Sequence, residues 1–215
     1  MKRISMVVPC YNEEGNVKLF YDDVVKTYNE SKDYEIELIF VDDGSNDNTL
    51  FELKKISKEK KFNIKVISFS RNFGKESVIY AGLKKATGDY TVLIDADMQQ
   101  PPSLTLKMAS ILDNDVNCDC VCYYQNNRIE GKLMTKVKSM FYNVMNKLSE
   151  VELKEGASDF RMFRANVREA ILSLEEYCRF TKGIFSWVGF NTCYLPYTPN
   201  KRASGSSKWK PYKLM

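Results

Sequence analysis

Apolar and polar positions follow two alternating rhythms through the first half of the chain. Ile4 to Pro9 is a short apolar run rich in β-branched residues, and Val17, Phe20, Val24 and Tyr28 then recur at helical spacing. Ile36 to Val41 reads as a second strand, followed by a helix carrying Leu50, Leu53 and Ile56 that Asp47 or Asn48 can cap. Ile64 to Phe69 predicts a third strand and about Lys75 to Ala86 a helix, with Gly88 placed to end it. Tyr90 to Ile94 predicts a fourth strand, and Pro101-Pro102 opens another helix. Strands alternating with helices at this spacing predict an α/β fold with a parallel, doubly wound sheet.

The second half is less regular. Val121 to Tyr124 fits a strand, Lys132 to Leu148 an amphipathic helix and Ala165 to Leu174 another helix. Asp159 to Phe163 is short and mixed, and Thr192 to Met215, rich in Pro, Gly, Ser and Lys, reads as loop. No repeat and no linker divides the chain, so one domain is expected over residues 1–215.

Composition narrows the chemistry. The 215 residues are 44% hydrophobic and 28% charged, as in a soluble globular domain. No stretch approaches the roughly 18 apolar residues of a spanning helix, and the apolar start is too short for a signal peptide; a cytoplasmic setting is expected. Cys118, Cys120 and Cys122 alternate as on one strand face and lack the spacing of a zinc knuckle, so reduced, partly buried thiols are expected, while Cys10, Cys178 and Cys193 are scattered. Histidine is absent, which leaves acid–base work mainly to carboxylates and metal binding to oxygen ligands, hence Mg²⁺ or Mn²⁺. No Asp or Glu follows Glu176; that segment carries +7 and the remainder −3. Such a basic end suits phosphates or an anionic membrane surface, and equally a solvated tail.

Four polar clusters fall just past the four strands: Pro9 to Glu13, Asp42 to Ser45, Ser70 to Lys75 and Asp95 to Gln99. In a parallel sheet these lie along the carboxyl edge, where open α/β sheets bind ligands. Asp95-Ala96-Asp97 is the sharpest signal: two carboxylates one residue apart at the end of an apolar strand repel unless a cation neutralises them, and Gln99 can add an oxygen. Asp43 can accept from a base or ribose, or serve an ordinary turn. Arg71 and Lys75 can contact phosphate, or equally lie on an ordinary surface loop. Asp159 stands alone among small and aromatic residues, where partial burial would raise its pKa toward that of a general base; pairing with Arg161 or Arg164 is the alternative. Phe185, Trp187, Phe190 and Tyr194 form either an aromatic wall or core.

These residues, together with Ser158-Asp159-Phe160-Arg161, Trp187-Val188-Gly189-Phe190 and Arg202-Ala203-Ser204-Gly205-Ser206-Ser207-Lys208-Trp209, resemble the family 2 inverting glycosyltransferases of GT-A-type fold, and within them the polyprenyl-phosphate branch. The likeness runs along nearly the whole chain in order. It implies a nucleotide-binding half (1–100), an acceptor half (101–198) and a basic flexible loop (198–215). Pro9, Tyr11, Glu13, Val41 and Asp43 would line the nucleoside pocket. Asp95, Ala96 and Asp97 would bind the donor diphosphate, and Asp95, Asp97 and Gln99 the metal. Arg202 and Lys208 would close over the diphosphate, and Asp159 would act at the acceptor as the catalytic residue. The resemblance further implies a nucleotide-sugar donor, UDP favoured over GDP, a lipid-phosphate acceptor at the cytoplasmic face of a membrane, and no nucleic-acid partner. Two departures stand out: the family's phosphate-binding arginine after the fifth strand is replaced by Tyr124-Gln125-Asn126-Asn127-Arg128, where Arg128 would substitute, and the family's membrane helices have no counterpart in this chain. Transfer to a growing glycan and a non-catalytic nucleotide-sugar-binding module remain alternatives.

Overall fold

The computed structural model describes residues 1–29, 31, 33–125, 157–176 and 179–198. Its sheet has seven strands: β1 (Lys2–Cys10), β2 (Tyr34–Asp42), β3 (Asn63–Ser68), β4 (Tyr90–Leu93), β5 (Cys120–Gln125), β6 (Ala157–Arg164) and β7 (Thr192–Tyr197), in the order β3-β2-β1-β4-β6-β5-β7. All run parallel except β6, which is antiparallel to both β4 and β5.

The first four strands and their helices α1 (Val17–Tyr28), α2 (Thr49–Ile56), α3 (Lys75–Lys85) and α4 (Leu104–Asn114) stand where the hydrophobic rhythm places them. Alternate residues of β1 separate two cores. Ile4, Met6 and Val8 pack with Phe20, Val24, Leu53 and Met108 from α1, α2 and α4. Val7 packs on the other face with Val78, Ile79 and Leu83 of α3, with α5 (Ala165–Ser173) through Val167 and Ile171, and with α6 (Thr181–Trp187) through Phe185. A sheet buried on both faces needs continuous apolar strands, which explains the unbroken runs in β1 and β2.

Several expectations need correction. Gly88 does not end α3 through a left-handed turn; a Cβ there would stand 2.7 Å from the Arg3 carbonyl oxygen, so the glycine permits close approach to β1. Asp47 acts at the start of α2, its carboxylate accepting from the Thr49 N–H at 2.9 Å. The mixed segment at Asp159 is strand β6. Thr192 to Tyr197 is not loop but strand β7; Pro196 is tolerated because β7 is an edge strand, where a missing N–H breaks no ladder on the open side. Cys118 and Cys193, expected as reduced thiols, are paired as a disulfide in the structure with Cα atoms 6.0 Å apart, because β5 and β7 are neighbours. Cys10, Cys120 and Cys122 are buried and take part in no disulfide among the described residues. The helix expected at Lys132 to Leu148 lies outside the described residues.

One buried acid ties the amino ends of the strands together. Glu37, wholly buried on β2, accepts from Lys65 Nζ at 2.6 Å, Ser5 Oγ at 2.5 Å, and the Thr87 N–H and hydroxyl at 3.0 Å each. Burial pushes its carboxyl up, but the bonds from Lys65, Ser5 and Thr87 outweigh that and leave it below its ordinary value. A group lowered in the folded state contributes stability above the ordinary glutamate range and loses it as pH falls. Glu37→Ala is expected to lower the unfolding free energy by about 3 kcal/mol, and Glu37→Gln to weaken the loss of stability on acidification. Urea denaturation at pH 7 and pH 4 measures both.

Candidate functional site

The carboxyl edge of the sheet is built from interlocking loops. After β1, Asn12 adopts φ 53°, and its N–H donates to Ser45 Oγ at 2.9 Å while its side chain accepts from the Asn46 N–H at 2.9 Å. Glu13 N–H donates to Thr49 Oγ1 at 2.7 Å, and the Glu13 carboxylate accepts from Asn16 Nδ2 at 2.6 Å. The loops after β1 and β2 are thus fastened together. Gly44 turns the second loop at φ 65°, and a Cβ there would stand 2.5 Å from the Arg71 carbonyl carbon, so the third loop presses on it.

Asp43 is nearly buried, and its carboxylate accepts from the N–H groups of Phe73 at 2.7 Å and Gly74 at 3.0 Å. Burial raises its carboxyl above the ordinary value, although the two amides pull the other way. It therefore fastens the loop after β3. Val41 is wholly buried in the core beneath α3. Pro9, Tyr11 and Glu13 are half-buried at the edge.

Asp95 and Asp97 sit on the turn that follows β4. Met98 takes φ 62°, closing the turn, and the Gln99 N–H donates to Asp97 Oδ1 at 3.1 Å. Ala96 is buried, Asp97 is 6% exposed and Gln99 is half-buried. The antiparallel register of β4 and β6 pairs Leu93 with Arg161. Continued by two residues on each strand, it sets Asp159 opposite Asp95 on the face covered by α3 and α6. Lys75, the first residue of α3, fills the gap: its Nζ lies 2.9 Å from an Asp95 oxygen and 2.9 Å from Asp159 Oδ2. Lys182 on α6 stands 3.9 Å from Asp159 Oδ1. Pro9, Ile79, Leu93, Ile94, Gln100 and Phe160 line the same narrow crevice with Lys75, Asp95 and Asp159.

The expectation for the Asp159 pKa is overturned. Burial does push its carboxyl up, but Lys75 and Lys182 outweigh burial and hold it below the ordinary aspartate value. Lys75 in turn is raised: burial lowers it, and the paired charges of Asp95 and Asp159 more than compensate. The partners proposed for Asp159 also change. Arg161 turns to the Ser158 carbonyl at 2.9 Å and lies over the Phe185 ring, and Arg164 bonds to the carbonyls of Cys118 and Leu112. The aromatic cluster divides: Phe185 is core, whereas Trp187 is 57% exposed.

The edge supplies hard oxygen donors suited to a divalent cation. Among the described residues no group of three or more Cys, Asp or Glu side chains gathers into a metal site. Two carboxylates on one turn nevertheless match how Mg²⁺-type ions bind, through one or two carboxylates completed by substrate phosphates. Asp95 already draws a positive group, the Lys75 ammonium, to within 2.9 Å. The residues fit such an ion. Arg128, Arg202 and Lys208 lie outside the described residues, as does the basic loop from 199 onward. Missed in the sequence were the bridging role of Lys75, the place of Lys182, and Glu76, whose carboxylate accepts from the Thr181 N–H at 2.9 Å and from the Thr181 hydroxyl. Only the run of cations free of nearby acids after Glu176 pointed toward Lys182.

The family model described as "Glycosyl transferase family 2" matches residues 5–172. A bactoprenol glucosyl transferase of Shigella phage SfX is 37% identical over 213 residues, spanning 99% of this chain and 68% of its own length. A prophage bactoprenol glucosyl transferase homolog of Escherichia coli (strain K12) is 36% identical over 217 residues, with coverage of 99% and 68%. The chain spans 61% of the length of another relative, CsbB of Bacillus subtilis (strain 168). Among solved structures, glucosyl-3-phosphoglycerate synthase from Mycobacterium tuberculosis, in complex with Mn²⁺, UDP and glucosyl-3-phosphoglycerate, superposes with TM-score 0.61 at 20% identity, over 94% of this chain and 73% of that one. The mannosyltransferase PcManGT from Pyrobaculum calidifontis, with GDP-Man and Mn²⁺, gives TM-score 0.64 at 20% identity, over 91% and 55%.

Proposed function

The chain belongs to glycosyl transferase family 2 and has the GT-A-type fold, and from that premise we propose that it transfers a sugar, with inversion, from a nucleotide-diphosphate sugar to a polyprenyl phosphate at a membrane surface. The observation that carries this reading is the meeting of Asp95, Lys75 and Asp159 across β4 and β6, which joins a donor-side carboxylate to an acceptor-side one through a single ammonium. Support for the acceptor comes from the bactoprenol glucosyl transferases that the chain resembles.

Asp95 and Asp97, with Gln99, would hold a divalent cation; Mn²⁺ accompanies the nucleotides in the structural neighbours. When bound, the cation supplies positive charge against which the departing nucleoside diphosphate is stabilised. The loops fastened by Asn12, Glu13 and Asp43 present Pro9 and Tyr11 to the nucleoside. In the transfer, an oxygen of the acceptor phosphate bonds to the anomeric carbon as that carbon's bond to the diphosphate oxygen breaks, and the electron pair leaves with the nucleoside diphosphate. A phosphate acceptor is already ionised, so no proton must be removed. Asp159, held ionised by its two lysines, is then suited to positioning rather than to general base catalysis.

One neighbour holds UDP and the other GDP-Man; we favour UDP because the fuller match is to the glucosyl transferases. Among the described residues no helix is long and apolar enough to cross a membrane. A product assay offering UDP-glucose and GDP-mannose, with undecaprenyl phosphate or a soluble glycan as acceptor, tests the reading. A glycosyl phospholipid as the product is the expected result, and transfer to the glycan alone would overturn it.

A further inference from the structure

Lys75 engages both oxygens of one carboxylate and one oxygen of another. Its Nζ lies 2.9 Å from Asp95 Oδ1, 3.0 Å from Asp95 Oδ2 and 2.9 Å from Asp159 Oδ2. The ammonium therefore covers the face of Asp95 between its two oxygens and keeps a second anion across the pairing of β4 with β6. The crevice around these three groups leaves no room for a water molecule, and the other residues lining it are uncharged.

A divalent cation that takes Asp95 through this face cannot share it with Lys75. The two positive charges would be close together in a partly buried, water-poor site, where like charges repel more strongly than in bulk water. Lys75 can withdraw without being stranded. Its side chain is 40% exposed, and it leaves the backbone at the first residue of α3, directly after Gly74 at φ 94°. A charge left without a partner in such a site is costly, and Asp159 removes that cost because it already holds the ammonium from the other side.

We propose that Lys75 is an exchangeable counter-ion, which competes with the divalent cation for Asp95 and passes wholly to Asp159 when the cation binds. The inference rests on the reading of Asp95 and Asp97 as metal ligands. It gives Asp159 a part in metal loading besides its place on the acceptor side. Lys75 acts on the metal through Asp95, and Asp159 acts through Lys75, so both are positioning residues in this step.

Mn²⁺ titration of the full chain, followed by electron paramagnetic resonance with and without UDP, tests the exchange. Lys75→Met should tighten Mn²⁺ binding by about fivefold, the worth of a partly exposed ion pair removed as a competitor. Asp159→Asn should loosen it by about threefold, because Lys75 then rests wholly on Asp95. The double variant should bind Mn²⁺ as Lys75→Met does. A further loss from Asp159→Asn in that background would show that the Asp159 charge acts on the ion directly, and would overturn the exchange, as would Mn²⁺ binding that is unchanged or weaker in Lys75→Met. A second readout uses the wild type alone. The nitrogen NMR signal of the Lys75 ammonium, identified by its absence in Lys75→Arg, should shift as diamagnetic Mg²⁺ saturates the site; a signal that stays fixed at saturation would overturn the exchange. Wild type that loses Mn²⁺ on Asp97→Asn but not to competition from Lys75 keeps the metal reading and overturns the exchange alone. Wild type that binds no Mn²⁺ even with UDP overturns both.

Discussion

Asp97→Asn is expected to remove metal-dependent nucleotide binding and to lower sugar transfer by about 10³-fold, equivalent to about 4 kcal/mol of lost stabilisation. The side chain sits on a tight turn closed by Met98 at φ 62°, and one of its oxygens accepts the Gln99 N–H. An amide at this position keeps the volume and one acceptor oxygen, so the fold should survive. What is lost is negative charge at the point where, on the proposed function, a divalent cation and a diphosphate would be held together. The measurement is nucleotide affinity with Mn²⁺ and with EDTA, in wild type and variant, backed by Mn²⁺ titration followed by electron paramagnetic resonance. Nucleotide affinity that ignores EDTA in the wild type, or Mn²⁺ binding that survives in the variant, would remove the metal role from this turn.

The second large effect is expected at Asp159. Asp159→Asn should lower kcat by about 10²-fold, while the Kd for the nucleotide changes by no more than about threefold. The asymmetry follows from position: Asp159 is on β6, and the loops proposed to meet the nucleoside follow β1, β2 and β3. A small donor effect is still expected, because losing Asp159 leaves Lys75 entirely to Asp95. Lys75→Met should therefore couple to it. Residues in one ion-pair network commonly show interaction energies of about 0.5–3 kcal/mol in a double-mutant cycle, so the double variant should lose clearly less activity than the two single losses combined. Donor affinity that falls as steeply as kcat in Asp159→Asn, or strict additivity with Lys75→Met, would count against the bridge.

The first half was legible because β1, β2 and β4 are largely buried on both faces and read as apolar runs separated by helical spacing. The carboxyl edge followed from strand order alone, and Asp95 and Asp97 with it. What escaped had specific causes. In β6 the alternation is broken by Arg161, a charged residue buried over the Phe185 ring, so the segment does not look like a strand. In β7 Pro196 argued against a strand that turned out to be at the sheet edge. The disulfide between Cys118 and Cys193 depends on β5 and β7 being neighbours, which their distance in sequence does not reveal. The sign of the Asp159 shift could not be read from its own neighbours, since the lysines that decide it come from α3 and α6.

The reversed direction of β6 has a consequence for how such an enzyme could diversify. A strand running with β4 would bring its far end to the carboxyl edge and would need a crossover of fixed length to get there. Running against β4, β6 delivers Asp159 to that edge at its very first residues, in a register fixed by the pairing of Leu93 with Arg161. The length of chain that joins β5 to β6 can then change without shifting the two carboxylates relative to each other, because the β4–β6 pairing sets their register. New chain can be inserted at that junction while the turn that carries Asp95 and Asp97 stays as it is.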